Sequence, residues 1–245
     1  MKVVVLGGTT GMGRAITRQL VERGDKVFLL GMDEADLVKS AADLTARGKA
    51  GEVGYALCNL EQTDTFAPAL DAADKALGDF DAVVVTAAMF ASQEALEDDI
   101  ELTRRLVTVN YAHTVVFCEH ARKRLLSRGG GRLVVFSSVA GDRGRKPVVI
   151  YGSSKAGIAA YLEGLDHRYQ TAGLFVTCVK PGFVKTGMTA GLKPPPFAGE
   201  PEGVARQVIR AMDRRSPMVY APGIWALVMM VIRSLPRFVM RRIGF

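Results

Sequence analysis

The stretch that most constrains this chain is Leu6-Gly7-Gly8-Thr9-Thr10-Gly11-Met12-Gly13, which joins an apolar run to a helix-length segment. Gly7 permits a tight turn. Gly11 and Gly13 lack the side chains that would keep an anion away from the backbone, and the helix that follows offers unpaired N–H groups and a partial positive charge. Thr9 and Thr10 add hydroxyl donors. A glycine-rich packing turn could look the same in isolation. Here strand, loop and helix stand in the order that a dinucleotide pyrophosphate requires.

The rest of the chain repeats the same rhythm. Apolar runs at 2–6, 26–30, 52–58, 81–86, 132–137 and 174–179 read as buried parallel strands. Helix-length segments at 11–23, 34–47, 63–77, 97–127 and 151–171 lie between them. Regular alternation of this kind predicts an α/β fold, a Rossmann-type, doubly wound and mostly parallel sheet with ligands at the carboxyl ends of the strands. Residues 1–220 are expected to form one dinucleotide-binding and catalytic domain. Residues 221–245 form an apolar, basic appendage. The stretch 187–201, with Pro194-Pro195-Pro196, reads as a surface loop.

Three scattered cysteines without a CxxC pair fit a reduced, cytoplasmic protein without a disulfide framework. An apolar strand directly after Lys2 leaves no room for a signal peptide. His113, His120 and His167 lack partners at metal-ligand spacing, so no metal is expected. Of the net charge of +7, +6 lies in residues 201–245, where eight arginines face only Glu202 and Asp213. Nucleic acid is therefore not the expected partner. The asymmetry points to a local anionic one such as a membrane surface, a phospholipid or an acidic protein.

Tyr151 and Lys155 are four apart at the start of a predicted helix and share a face. An ammonium beside a phenol favours the phenolate and is expected to lower the tyrosine pKa toward working pH, making Tyr151 an acid/base at a carbonyl or alcohol. Ser138 follows a strand, at the sheet edge where a substrate would sit. Taken singly, Tyr151 reads as well as a core aromatic and Ser138 as a turn residue. The glycine elbow of a serine hydrolase is missing around Ser137-Ser138.

With the glycine loop, Asn110, Ser138, Tyr151, Lys155 and Pro181-Gly182-Phe183-Val184-Lys185-Thr186 in this order, residues 1–220 resemble the short-chain dehydrogenase/reductase family. The resemblance implies hydride transfer between NAD(P)(H) and a carbonyl or secondary alcohol. It implies that Tyr151 protonates the substrate oxygen, Lys155 holds the nicotinamide ribose, Ser138 hydrogen-bonds the substrate and Asn110 holds a water in a proton relay. Pro181 and Gly182 would shape the nicotinamide pocket, with Val184 and Thr186 at the carboxamide. Homo-oligomers are common among such relatives.

Several positions depart from the family pattern. Thr86-Ala87-Ala88-Met89 replaces its Asn-Asn-Ala-Gly; Thr86, Ala87 and Ala88 are still expected under the adenine ribose. Asn59, followed by Leu60, replaces an aspartate at the adenine. Gly31-Met32 ends the second strand without the acid of NAD-preferring members or the base of NADP-preferring ones. Asp33 either reaches a ribose or caps the next helix. On balance the absence of an acid at 31–32 tips the expectation toward NADP over NAD.

The tail run from Gly223 to Ile232 is apolar but far shorter than the ~20 residues of a membrane span. Arg233, Arg237 and Arg241 follow, near Trp225, Phe238 and Phe245, and Pro236 is expected to open a second short helix. This suits a segment lying in a membrane interface. It equally suits a lid over the substrate pocket or a subunit contact. The stretch from Pro181 to the tail looks like bacterial reductases of polyprenyl-phosphate-linked keto-pentoses, which implies a lipid-linked substrate and peripheral contact with the inner membrane face. Two alternatives stand: a soluble reductase of small ketones, hydroxysteroids or carrier-bound oxoacyl groups, and a non-catalytic cofactor-sensing protein.

Overall fold

The computed structural model describes residues 1–243. Its strands are β1 (Lys2–Leu6), β2 (Lys26–Gly31), β3 (Gly54–Leu57), β4 (Ala82–Val85), β5 (Gly131–Phe136), β6 (Leu174–Pro181) and β7 (Met218–Ala221). They form one sheet in the order β3-β2-β1-β4-β5-β6-β7, with every pairing parallel. The strand order reverses at β1, whose neighbours are β2 and β4. A crevice opens outside the carboxyl ends of β1 and β4, as the sequence predicts for a doubly wound sheet.

The helices are α1 (Gly11–Arg23), α2 (Glu34–Arg47), α3 (Phe66–Leu77), α4 (Gln93–Asp98), α5 (Ile100–Val107), α6 (Thr114–Ser127), α7 (Val149–Tyr169), α8 (Pro201–Asp213), α9 (Ile224–Ser234) and α10 (Arg237–Met240). Alternation along β1 divides the core. Val3 and Val5 pack with α1, α2 and α8, through Leu20, Leu37 and Val208 among others. Val4 and Leu6 pack on the opposite face with α3, α6 and α7, through Phe66, Phe117 and Ile158. Strands buried on both faces explain why they read as unbroken apolar runs.

The structure corrects three boundaries. The helix predicted over 97–127 is three pieces. Asp99 interrupts it, its side chain accepting from the Leu102 N–H as the cap of α5. A π-helical turn, Thr108–His113, then separates α5 from α6. β3 is shorter than 52–58, and α7 begins at Val149, before Tyr151. The Pro-rich stretch is a loop that folds back on the segment following β6: Val184 bridges Gly199, and the Gly199 N–H donates to the Phe183 carbonyl. Pro236 does cap a short helix, α10. Phe245 lies outside the described residues.

Candidate active site

The crevice holds a cavity of about 650 Å³. Gly7, Thr9, Thr10, Gly11, Met12, Gly13, Gly31, Met32, Asn59, Leu60, Thr86, Ala87, Ala88 and Thr186 all line it. The loop is close-built: a Cβ on Gly13 would lie 2.0 Å from the Gly7 carbonyl oxygen, and Gly7 itself has φ +87°. Thr10 caps α1 without a side-chain hydrogen bond, and no acid stands in the first turn. The N–H groups there remain for a ligand, and an anion is the group they suit. By contrast Asp33, at the start of α2, is occupied as a cap, its carboxylate accepting from the Asp36 N–H at 2.9 Å.

Some residues expected at the cofactor or in the proton relay are engaged with the backbone. The Thr86 hydroxyl donates to the carbonyls of Leu6 (3.1 Å) and Gly7 (2.9 Å), clamping the glycine loop to the end of β4. Asn110, only 1% exposed in the π-helical turn, accepts from the Met89 N–H at 2.7 Å and donates to the Met89 carbonyl at 2.9 Å. Its side chain thus fixes the chain where it leaves β4. Met89 stands outside the left-handed region, so the glycine it replaces is not needed for backbone freedom.

Ser138, Tyr151 and Lys155 converge at the carboxyl end of β5. Ser138 caps the short 3-10 turn Val139–Gly141, its Oγ accepting from the Ala140 N–H at 3.1 Å, and it lies within hydrogen-bonding reach of the Tyr151 hydroxyl. Two glycines that sequence reasoning passed over make this possible. A Cβ on Gly141 would come within 2.6 Å of the Lys155 backbone, and one on Gly152 within 2.8 Å of the Ala140 carbonyl oxygen. The turn therefore lies directly against the first turns of α7. Phe90 packs edge-on to the Tyr151 ring, with centroids 5.2 Å apart. The Lys155 ammonium sits 5.8 Å from that ring's centroid and donates to the Phe136 carbonyl at 3.0 Å.

The electrostatics differ from the sequence expectation. Burial pushes the Tyr151 pKa up to about 12, with the Ser138 hydrogen bond pulling the other way. Burial pushes Lys155 down to about 8. In the cofactor-free chain burial is the dominant effect at the phenol.

Tyr151, Lys155, Pro181, Gly182 and Val184 do not line the cavity, whereas Thr186 closes over it, its methyl 3.4 Å from where a Gly11 Cβ would be. Gly182 lies under the Trp225 indole, leaving no space for a Cβ. The lining also includes Asp33, Asp36, Glu61 and Arg105, of which only Asp33 was weighed from the sequence. Glu61 and Arg105 become visible only in the fold, where they form an ion pair at 2.8 Å.

A family model described as short chain dehydrogenase matches residues 1–196. The chain belongs to the short-chain dehydrogenase/reductase family. It is 32% identical to an uncharacterized oxidoreductase of Mycobacterium tuberculosis over 98% of this chain and 96% of the relative. It is 29% identical to carbonyl reductase family member 4 of Xenopus tropicalis, over 85% of this chain and 89% of that one. A short-chain type dehydrogenase/reductase from Mycobacterium ulcerans shares the fold, with a TM-score of 0.80 at 24% identity over 89% of this chain and 86% of the other. The protein is thus an oxidoreductase of a family that uses NAD(P) cofactors. Among the described residues no helix is long and apolar enough to cross a membrane.

Proposed function

We propose that this short-chain dehydrogenase/reductase interconverts a carbonyl and a secondary alcohol, with Tyr151 as the acid/base. The observation that carries the reading is the convergence of Ser138, Tyr151 and Lys155 beside the dinucleotide-sized crevice. The bound dinucleotide supplies or accepts the hydride. Tyr151, protonated at neutral pH, gives its phenolic proton to the carbonyl oxygen as the new C–H bond forms at the carbon. Ser138 donates a hydrogen bond to the same oxygen. Lys155, fixed on the Phe136 carbonyl, holds a positive charge near the phenolate that results. Tyr151→Phe removes that proton and should lower turnover by about 10²–10⁴-fold with cofactor affinity unchanged. Turnover at the parent rate would overturn the assignment.

For the cofactor, the lining supports NAD(H), the reverse of the balance struck from residues 31–32. Asp33, Asp36 and Glu61 present carboxylates, and Arg105 is already paired with Glu61. A 2′-phosphate would meet like charge there. Fluorescence titration of the protein with NADH and NADPH tests this. Tighter binding of NADPH would refute it.

For the substrate, we infer a carbonyl on an amphipathic carrier, such as a polyprenyl-phosphate-linked keto-sugar. What supports this is α9, whose Trp225 and Met229 pack on Val139, next to Ser138, so that an apolar helix adjoins the reacting groups. Activity on water-soluble ketones exceeding that on lipid-linked ones would favour the soluble alternative.

A further inference from the structure

The tail helix α9 is apolar on two sides. Trp225, Met229 and Ile232 face inward and form a small core with Val139, and the Trp225 indole N–H donates to the Phe197 carbonyl at 3.2 Å. The other side carries Leu227 (59% exposed), Met230 (62%) and Val231 (58%), and α10 adds Phe238 (63%). Leu227, Met230 and Val231 recur at three- and four-residue spacing, so they form one stripe. The Trp225–Phe197 bond holds the Pro-rich loop beside the helix, and that loop exposes Leu192 and Phe197.

Charge decides what covers this face. Arg233, Arg237, Arg241 and Arg242 follow this stripe in the chain, and no acidic residue follows Asp213. All four are exposed, and none is in a salt bridge with the described residues; Arg233 reaches the Tyr220 hydroxyl, which leaves Arg237, Arg241 and Arg242 outermost in the chain. A second copy docked through the same face about a two-fold axis would bring the arginine cluster against itself. A bilayer bearing anionic headgroups has the complementary charge and accepts apolar side chains just beneath them.

We propose that the outer face of α9, with Phe238, is a membrane-docking surface. Leu227, Met230, Val231 and Phe238 enter the interface of an anionic phospholipid bilayer, and the arginines bind its phosphates. The inner face of the same helix rests beside Ser138, so docking sets the substrate side of the enzyme at the membrane. The contact itself is independent of the reaction proposed above.

The test is co-sedimentation of the full-length protein with vesicles of phosphatidylcholine alone and of phosphatidylcholine mixed with phosphatidylglycerol, at low and high salt. Binding should favour the mixed vesicles and fall with salt. Replacing Arg237 or Arg241 by Gln should weaken it about fivefold per charge. Leu227→Glu with Val231→Glu should weaken it at least about tenfold. Both outer positions are exposed, so circular dichroism, NADH affinity and turnover of a water-soluble ketone should stay at parent values. Failure of that turnover in the parent would count against the catalytic reading and not against docking. Absence of vesicle binding, or binding indifferent to headgroup charge, overturns the proposal. So does sedimentation equilibrium in which the glutamate pair dissociates a dimer, since the face would then be a subunit contact.

Discussion

Lys155 should cost this fold stability that its chemistry needs. The side chain is 3% exposed and its ammonium has one hydrogen bond, to the Phe136 carbonyl. Burial lowers its pKa from the ordinary 10.5 to about 8. At about 1.4 kcal/mol per pH unit, the charged form at neutral pH is disfavoured by ~3 kcal/mol in the folded chain. Lys155→Met keeps the length and apolar stem and removes that cost. The Phe136 carbonyl then loses its partner, which offsets ~1 kcal/mol. In the cofactor-free protein the variant should therefore be more stable by ~2 kcal/mol, or roughly 4–8 °C in Tm for a chain of this size.

The sign of the pH dependence makes the argument specific. Between the folded pKa of about 8 and the unfolded value of 10.5, the unfolded chain binds more protons than the folded one. Parent stability therefore gains from this group as pH rises through that window and loses the gain as pH falls through it. The advantage of Lys155→Met should shrink accordingly and vanish near the upper end. Thermal unfolding followed by circular dichroism at neutral pH and at the top of the window measures both. A variant less stable than the parent at neutral pH, or a gap that ignores pH, would refute the reasoning. Turnover by the variant should be lost, the trade of stability for function expected of a buried charge at an active site.

Two other outcomes follow from the same geometry. Gly141→Ala would push the Ser138 turn off α7, so kcat should fall about tenfold or more from lost positioning while NADH affinity, measured by fluorescence, holds. Asp142 accepts from Lys180 Nζ and from the Tyr220 hydroxyl, each at 2.6 Å, so Asp142→Ala leaves a largely buried ammonium unpaired and should destabilise the fold by ~3 kcal/mol in urea titration.

The sheet was legible because parallel strands buried on both faces leave unbroken apolar runs, and the glycine loop because its close approach excludes a Cβ. The division of the helix expected over 97–127 has a physical reason. Periodicity does not register an extra residue in a turn, and Asp99 can cap a helix as readily as it can sit on one. Spacing shows the charge beside Tyr151 and not its burial, and in the cofactor-free chain burial is the larger effect. The carboxylates lining the cavity come from separate segments, Asp33 and Asp36 in one and Glu61 in another, so no local motif announces them.

Fold and chemistry divide the recognisable residues between them. Thr86 and Asn110 lie among the residues a sequence reading gives to ligands, yet their polar groups hold the backbone of Leu6, Gly7 and Met89. Changing either should loosen the crevice before it touches a reaction step. Ser138 is shared, its oxygen capping a turn while it lies within reach of the phenol. The Tyr151 hydroxyl and the Lys155 ammonium carry the chemistry, and both sit on α7 against a turn that only glycines at 141 and 152 allow so close. In this chain the acid is therefore positioned as much by two absent side chains as by the polar groups around it.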